Sequence, residues 1–148
     1  MNLDGETYTV EETINATGTT DQEVTPVVKD IPGFTGPSTQ TVTISADGNT
    51  TVEYLYTRNK VNVTLVDGEY IETSANAEEY YGASITLKAK TREGYTFSKW
   101  SNNETSNEIT ITLTDDIEIG PVYTANKYNI VFDANGGTGT MSNQEMTY

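Results

Sequence analysis

The segment KDIPGFT at positions 29–35 returns as KTREGYT at positions 90–96. Its surroundings return with it. TVTISADGNTTVEYLYTRNK follows the first copy and ends at Lys60, and ITITLTDDIEIGPVYTANK follows the second and ends at Lys127. Asp47 matches Asp115, Tyr56-Thr57 matches Tyr123-Thr124, and Asn59-Lys60 matches Asn126-Lys127. Each lysine then opens a strand-like run, VNVTLVDG at 61–68 and YNIVFDANGG at 128–137. A period in the sixties is an internal repeat, longer than most solenoid units. A unit of about 65 residues holds a small, marginal core of its own. The repeat therefore predicts tandem small domains. With neither Gly nor Pro in TRNK at 57–60, it also predicts a short, semi-rigid joint between them.

Alternation of period two predicts strands throughout. Val61, Val63 and Leu65 share one face of KVNVTLV, and Ile85, Leu87 and Ala89 share one face of ASITLKAK. Ile109, Ile111 and Leu113 do the same in EITITLT, Val42 and Ile44 in TVTIS, and Val52, Tyr54 and Tyr56 in TVEYLYT. Such in-and-out patterning gives each sheet one covered and one wetter face. Asp4-Gly5, Asp47-Gly48, Asp67-Gly68 and Asn135-Gly136 are hairpin signals, because a type I′ turn needs positive φ at both central residues. Helix signals are few. SANAEEYYGA at 74–83 has room for one or two turns, and Thr19 or Thr20 is placed to cap a turn in TTDQEVTP. In the recurring segment, Gly33 and Gly94 make the turn and Phe34 or Tyr95 plugs the end of a small core, helped by Trp100 in the second unit.

Composition removes most chemistry. There is no cysteine, so neither a disulfide nor a cysteine metal site, and no histidine, the commonest general base and transition-metal ligand. The formal net charge of −14 gives no bulk attraction to nucleic acid or anionic lipid, so no nucleic-acid partner is expected. No apolar run reaches the length of a membrane span, and no membrane insertion is expected. MNLDGETY has neither the basic start nor the apolar core of a signal peptide.

The order of elements in GASITLKAKTREGYTFSKWSNN…EITITLTDDIEIGPVYT is Gly, a short strand, Gly-Tyr-x-Phe, Trp three residues on, then two strands ending in an aromatic. It resembles the internalin B-repeat (Listeria–Bacteroides repeat) family in its divergent form. YNIVFDANGGTGTM resembles the opening of the more regular version, and residues 1–59 are similar to the mucin-binding-protein-type repeats of Gram-positive surface proteins. The resemblance implies tandem β-grasp-like (ubiquitin-like) domains, mostly β with antiparallel hairpins and little helix, 76–82 filling the helix position of the second. It divides the chain into residues 1–59 with most of the first strand missing, 60–126, and 127–148 as the first hairpin of a further repeat. It also implies an extracellular, cell-wall-associated protein whose anchor and signal peptide lie outside these residues. It carries no catalytic, cofactor or metal residues.

The residues agree in offering no enzyme site. Asp115-Asp116 is a carboxylate pair, but adjacent strand residues face opposite sides and suit a turn better than acid–base work. ADGN at 46–49 holds only part of a calcium loop. Ser98 beside Lys99 lacks a convergent geometry for nucleophilic catalysis. Tyr8, Tyr54, Tyr70, Tyr80 and Tyr81 serve either cross-strand packing or stacking on sugars. Two functions follow: a stalk or spacer presenting a distal domain, or an adhesion module binding a host glycan, mucin or protein through sheet faces or edges. Tyr128, Ile130 and Phe132 share a face, so residues 128–133 either complete the sheet of another molecule head to tail or close a local hairpin.

Overall fold

The computed structural model of the protein describes residues 2 and 6–148. Strands run at Glu23–Val24 (β1), Phe34–Thr35 (β2), Val42–Thr43 (β3), Thr57–Arg58 (β4), Lys60–Leu65 (β5), Ile71–Thr73 (β6) and Glu78–Tyr80 (β7). They continue at Ser84–Ala89 (β8), Tyr95–Trp100 (β9), Glu108–Thr112 (β10), Ile117–Ile119 (β11), Pro121–Ala125 (β12), Lys127–Ile130 (β13) and Gln144–Thr147 (β14). Gly68–Tyr70 is a single 3-10 turn. The chain is mostly β, in small and chiefly antiparallel sheets, as the alternation of β-branched and aromatic residues dictates. Among the described residues no helix is long and apolar enough to cross a membrane.

Contacts gather the chain into two compact units: Met1–Asn62 with Glu78–Ser84 and Thr112–Asp116, and Val63–Ala77 with Ile85–Ile111 and Ile117–Tyr148.

In the first unit the ladders are short. β1 pairs with β3 (Val24 opposite Val42) and β2 with β4 (Phe34 opposite Arg58), both antiparallel. The start of β5 pairs with β7, Lys60 opposite Tyr80. No described residue before Lys60 is buried, while Val61 and Leu113 are. TVEYLYT keeps the expected alternation of exposure over 51–57, yet only Thr57 of it joins a ladder. Tyrosine hydroxyls do the pairing instead: Tyr54 donates to the Pro26 carbonyl and Tyr56 to the Lys29 carbonyl, each at 2.7 Å. TTDQEVTP holds no capped helical turn. Asp21 sits at φ 64°, Gln22 Oε1 accepts the Thr19 amide, and the chain runs directly into β1. The stretch 76–82 likewise holds no helix: Glu78–Tyr80 within it forms β7 and pairs with β5, and Tyr81-Gly82 is a turn.

In the second unit the end of β5 pairs in parallel with β11, Val63 opposite Ile117 and Leu65 opposite Ile119. β6 pairs with β8, β9 with β12, and β13 with β14, all antiparallel. Val63, Ile71, Ile85, Leu87, Trp100 and Ile119 are buried. Leu65, Tyr95, Ile109 and Ile111, expected in the core, are only half-buried. Ile71 and Ile119 are core positions the alternation did not single out.

The Asp-Gly and Asn-Gly turns separate into kinds. Asn135 and Gly136 both have positive φ, 46° and 86°, and the Gly137 amide bonds the Ala134 carbonyl at 2.9 Å, as a type I′ turn requires. At 47–48 only Gly48 has positive φ, so the turn is of another type. Asp67 is left-handed at φ 52°, but it opens the 3-10 turn rather than a hairpin, because β5 and β6 pair with other strands. Asp4-Gly5 lies outside the described residues.

Candidate functional site

The densest group of chemically distinctive side chains is a ring of tyrosines around Arg92 in the second unit. β9 and β12 build it. Their register steps from Lys99 opposite Val122 to Phe97 opposite Tyr123, leaving Ser98 as the extra residue of a bulge. Three positions apart on a regular strand, Phe97 and Trp100 would face opposite ways. The bulge resets the alternation, and their rings meet at 5.7 Å with an interplanar angle of 62°. Tyr123 lies edge-on to Phe97 at 5.9 Å and 80°, and to Tyr70 at 5.9 Å and 66°. Tyr95 meets Tyr148 at 5.5 Å and 80°.

The Arg92 guanidinium stands 4.5 Å from the Tyr95 ring centre, 4.8 Å from Tyr70 and 5.9 Å from Tyr123. A cation over one such face is worth about 0.5–2 kcal/mol, more as water is excluded. The Tyr123 hydroxyl donates to the Lys90 carbonyl; burial raises its pKa, and the positive charge of Arg92 works against that rise. The ring of tyrosines is therefore already filled by a cation of its own chain, and its edge-to-face geometry offers no flat double platform to a sugar. Arg92 is the residue sequence reasoning passed over. Its signal was its place two residues before Gly94-Tyr95, in the segment that repeats.

The first unit carries an open depression of about 750 Å³, lined by Pro32, Gly33, Asn59, Lys60, Val61, Tyr81, Thr114, Asp115 and Asp116. Its charged groups already have structural work. Lys60 Nζ is 3.3 Å from Glu78 and stands over the Tyr80 ring. Asp115 accepts a bond from the Thr114 hydroxyl. Asp116 accepts the Asn62 backbone amide at 2.7 Å and the Asn62 side-chain amide at 2.9 Å. These two bonds, backbone first, hold the Asp116 carboxyl below its ordinary pKa. A carboxylate with a lowered folded-state pKa contributes stability that is full above its unfolded value, about 3.9, and fades as pH falls through the lower folded value. Asp116→Asn should therefore melt below the parent at pH 7 and approach it at about pH 3. An equal gap at both pH values would show that the charge of Asp116 does not matter.

The remaining sequence candidates disperse. Asp47 closes a local turn, its Oδ1 accepting the Asn49 amide, which lowers its pKa. Ser98 is exposed at the bulge, while Lys99 Nζ donates to Asn103 Oδ1 at 2.6 Å. Tyr8 is exposed, whereas Tyr54, Tyr70, Tyr80 and Tyr81 are half-buried. Among the described residues no group of three or more acidic side chains could hold a metal ion.

The succession of strands from β5 to β12, with the buried Trp100 after the Gly94 turn, coincides with a known repeat. Residues 59–127 match the family model described as the divergent InlB B-repeat domain. No curated protein and no solved structure matches the chain. Divergent InlB B-repeats occur in bacterial surface proteins, and residues 59–127 are similar to that repeat. The match covers the second of the two copies read in the sequence. It does not extend to residues 1–58.

Proposed function

We propose that this chain is a non-catalytic repeat segment of a bacterial surface protein, acting outside the cell as a stalk or spacer that presents a distal domain. In this reading residues 1–59 are a mucin-binding-protein-like repeat and 60–126 a divergent B-repeat of β-grasp-like fold. Residues 127–148 begin a further repeat. The parallel pairing of β5 with β11 supports the β-grasp assignment. The observation that carries the functional reading is the engagement of the aromatic residues with one another and with Arg92. Every close ring pair among the described residues is edge-to-face, where a glycan binder needs coplanar exposed rings. The surface charge, −14 in total, keeps copies apart at high local density.

The test is a glycan array with a mucin pull-down on the full chain. A spacer retains nothing saturably. Saturable retention, lost when exposed Tyr8 or Tyr128 is changed to Ala, would overturn the spacer reading and make the segment an adhesion module. Head-to-tail association through 128–133 belongs to the same proposal, since Tyr128, Ile130, Val131 and Phe132 are exposed although 127–130 also pair with β14. Light scattering reads it as mass that rises with concentration.

A further inference from the structure

The same small assembly of side chains is built twice. At the first site Gly33 has φ 78°, and a Cβ placed on it would stand 2.0 Å from Tyr81 Cδ1, inside the ring. The Gly33 carbonyl accepts the Asn59 amide at 2.9 Å, and the Asn59 carbonyl accepts the Tyr81 amide at 2.9 Å. Asn59 Oδ1 accepts the Thr35 hydroxyl at 2.7 Å. Lys60, next in the chain, pairs with Glu78.

At the second site Gly94 has φ 75°, and its Cβ would stand 2.1 Å from Tyr148 Cδ1. The Gly94 carbonyl accepts the Asn126 amide at 2.8 Å, and the Asn126 carbonyl accepts the Tyr148 amide at 3.0 Å. Asn126 Oδ1 accepts the Thr96 hydroxyl at 2.6 Å, and Lys127 pairs with Glu145 at 2.6 Å. Every member has its counterpart, including the tyrosine hydroxyls of Tyr56 and Tyr123, which bond the carbonyls of Lys29 and Lys90.

The chemistry of the site explains its residue types. A ring can lie flat against a backbone only where no Cβ intervenes, and left-handed φ is open to glycine without strain. Asn joins three chain segments at once: its amide donates to the glycine turn, its carbonyl accepts from the tyrosine, and its side chain receives the threonine. The lysine–glutamate pairs are exposed and add little energy. They accompany a pairing in which Lys60 stands opposite Tyr80 and Lys127 opposite Thr147.

We propose that the left-handed glycine and the Asn-Lys step together form a socket, and that its occupant is the opening hairpin of the following repeat. That hairpin presents Glu-x-x-Tyr at the end of its second strand: Glu78 to Tyr81 at the first site and Glu145 to Tyr148 at the second. A repeat is then closed by its successor, and residues 127–148 are held by the repeat before them. Calling 127–148 an opening hairpin rests on the tandem-repeat reading above. The socket itself is read by contact energies, so glycan binding would overturn the spacer function and leave the socket untouched.

The test is a double-mutant cycle on the full chain, combining Gly94→Ala with Tyr148→Ala, and the equivalent cycle with Gly33→Ala and Tyr81→Ala. With tyrosine present, the new methyl group both strains the backbone and displaces the ring. With alanine at 148 or 81, only the backbone strain remains. The two changes should therefore be non-additive by about tenfold in the unfolding equilibrium constant at each site. Gly48→Ala supplies the reference for strain alone, because Gly48 has φ 75° and nothing within 4 Å of its Cβ position. In the Tyr148→Ala background, Gly94→Ala should match that reference. Hydrogen exchange gives a second reading, in which Tyr148→Ala loses protection at the Asn126 amide. Additive effects at both sites, or unchanged exchange at Asn126, would overturn the socket.

Discussion

Replacing Trp100 by alanine is expected to destabilise the chain by about 3–5 kcal/mol, the range for emptying a buried aromatic position. Trp100 has no exposed surface. Its indole N–H donates to the Ser106 carbonyl at 2.9 Å, and its backbone amide bonds the Glu104 carbonyl at 2.7 Å, so the ring also pins the loop that leads to β10. Alanine leaves a cavity beside Phe97 and a carbonyl without its donor. Small domains have total stabilities of about 5–15 kcal/mol, so the loss approaches the whole margin. Trp100→Phe separates the two contributions: it keeps most of the apolar volume and removes only the donor, for an expected cost of about 1–3 kcal/mol. Denaturant melts followed by circular dichroism measure both variants, since the only tryptophan is the residue removed. A Trp100→Ala protein with the parent's midpoint would mean that this ring does not hold the second unit together.

Local conformation was more legible in the sequence than pairing. The alternation in KVNVTLV and ASITLKAK gave the right inward residues, because side-chain period follows from strand geometry alone. The left-handed backbone at Asp67 was also readable. That β5 would pair in parallel with β11, rather than fold back on β6, was not, because the ladder partner is set by surface buried far along the chain. The same limit hid Ile71 and Ile119, which sit in strands of three residues, too short to display a period. In TVEYLYT the alternation was right about burial and wrong about the ladder, since the tyrosine hydroxyls reach carbonyls that strand pairing would otherwise satisfy. At the candidate site the aromatics could be read and their arrangement could not. The bulge at Ser98 turns Phe97 and Trp100 to one face, and nothing in TFSKW announces it. The repeated glycine and asparagine were visible in the sequence as matching letters, whereas the tyrosines that pack on the glycines, Tyr81 and Tyr148, were not matched. Their meeting in space was not visible.

Gly120→Ala is expected to cost about 1–3 kcal/mol, the penalty for forcing a methyl group into filled space, toward the upper end of that range. The reason differs from that at the left-handed turns. Gly120 is buried and has no positive φ, so the backbone there would accept any residue. What excludes a side chain is the approach of the neighbouring strand. A Cβ on Gly120 would lie 2.6 Å from the Val66 carbonyl oxygen, 2.8 Å from Val66 Cβ and 3.2 Å from the Val66 carbonyl carbon. Two of these are backbone atoms, and no rotamer change moves them. Relief requires β11 to draw away from β5 at the point where the Val66 amide bonds the Ile119 carbonyl at 2.9 Å. The same movement pulls on the exchange between Gly120 and Ser101, where the Ser101 amide bonds the Gly120 carbonyl and the Gly120 amide bonds the Ser101 hydroxyl. Trimming the neighbour should therefore not help: Val66→Ala keeps both the carbonyl and the Cβ, and the double variant should melt no higher than Gly120→Ala alone. Thermal melts of the three variants decide the matter. Rescue by Val66→Ala would place the conflict in the valine side chain, and a Gly120→Ala protein as stable as the parent would mean that β5 and β11 do not approach so closely.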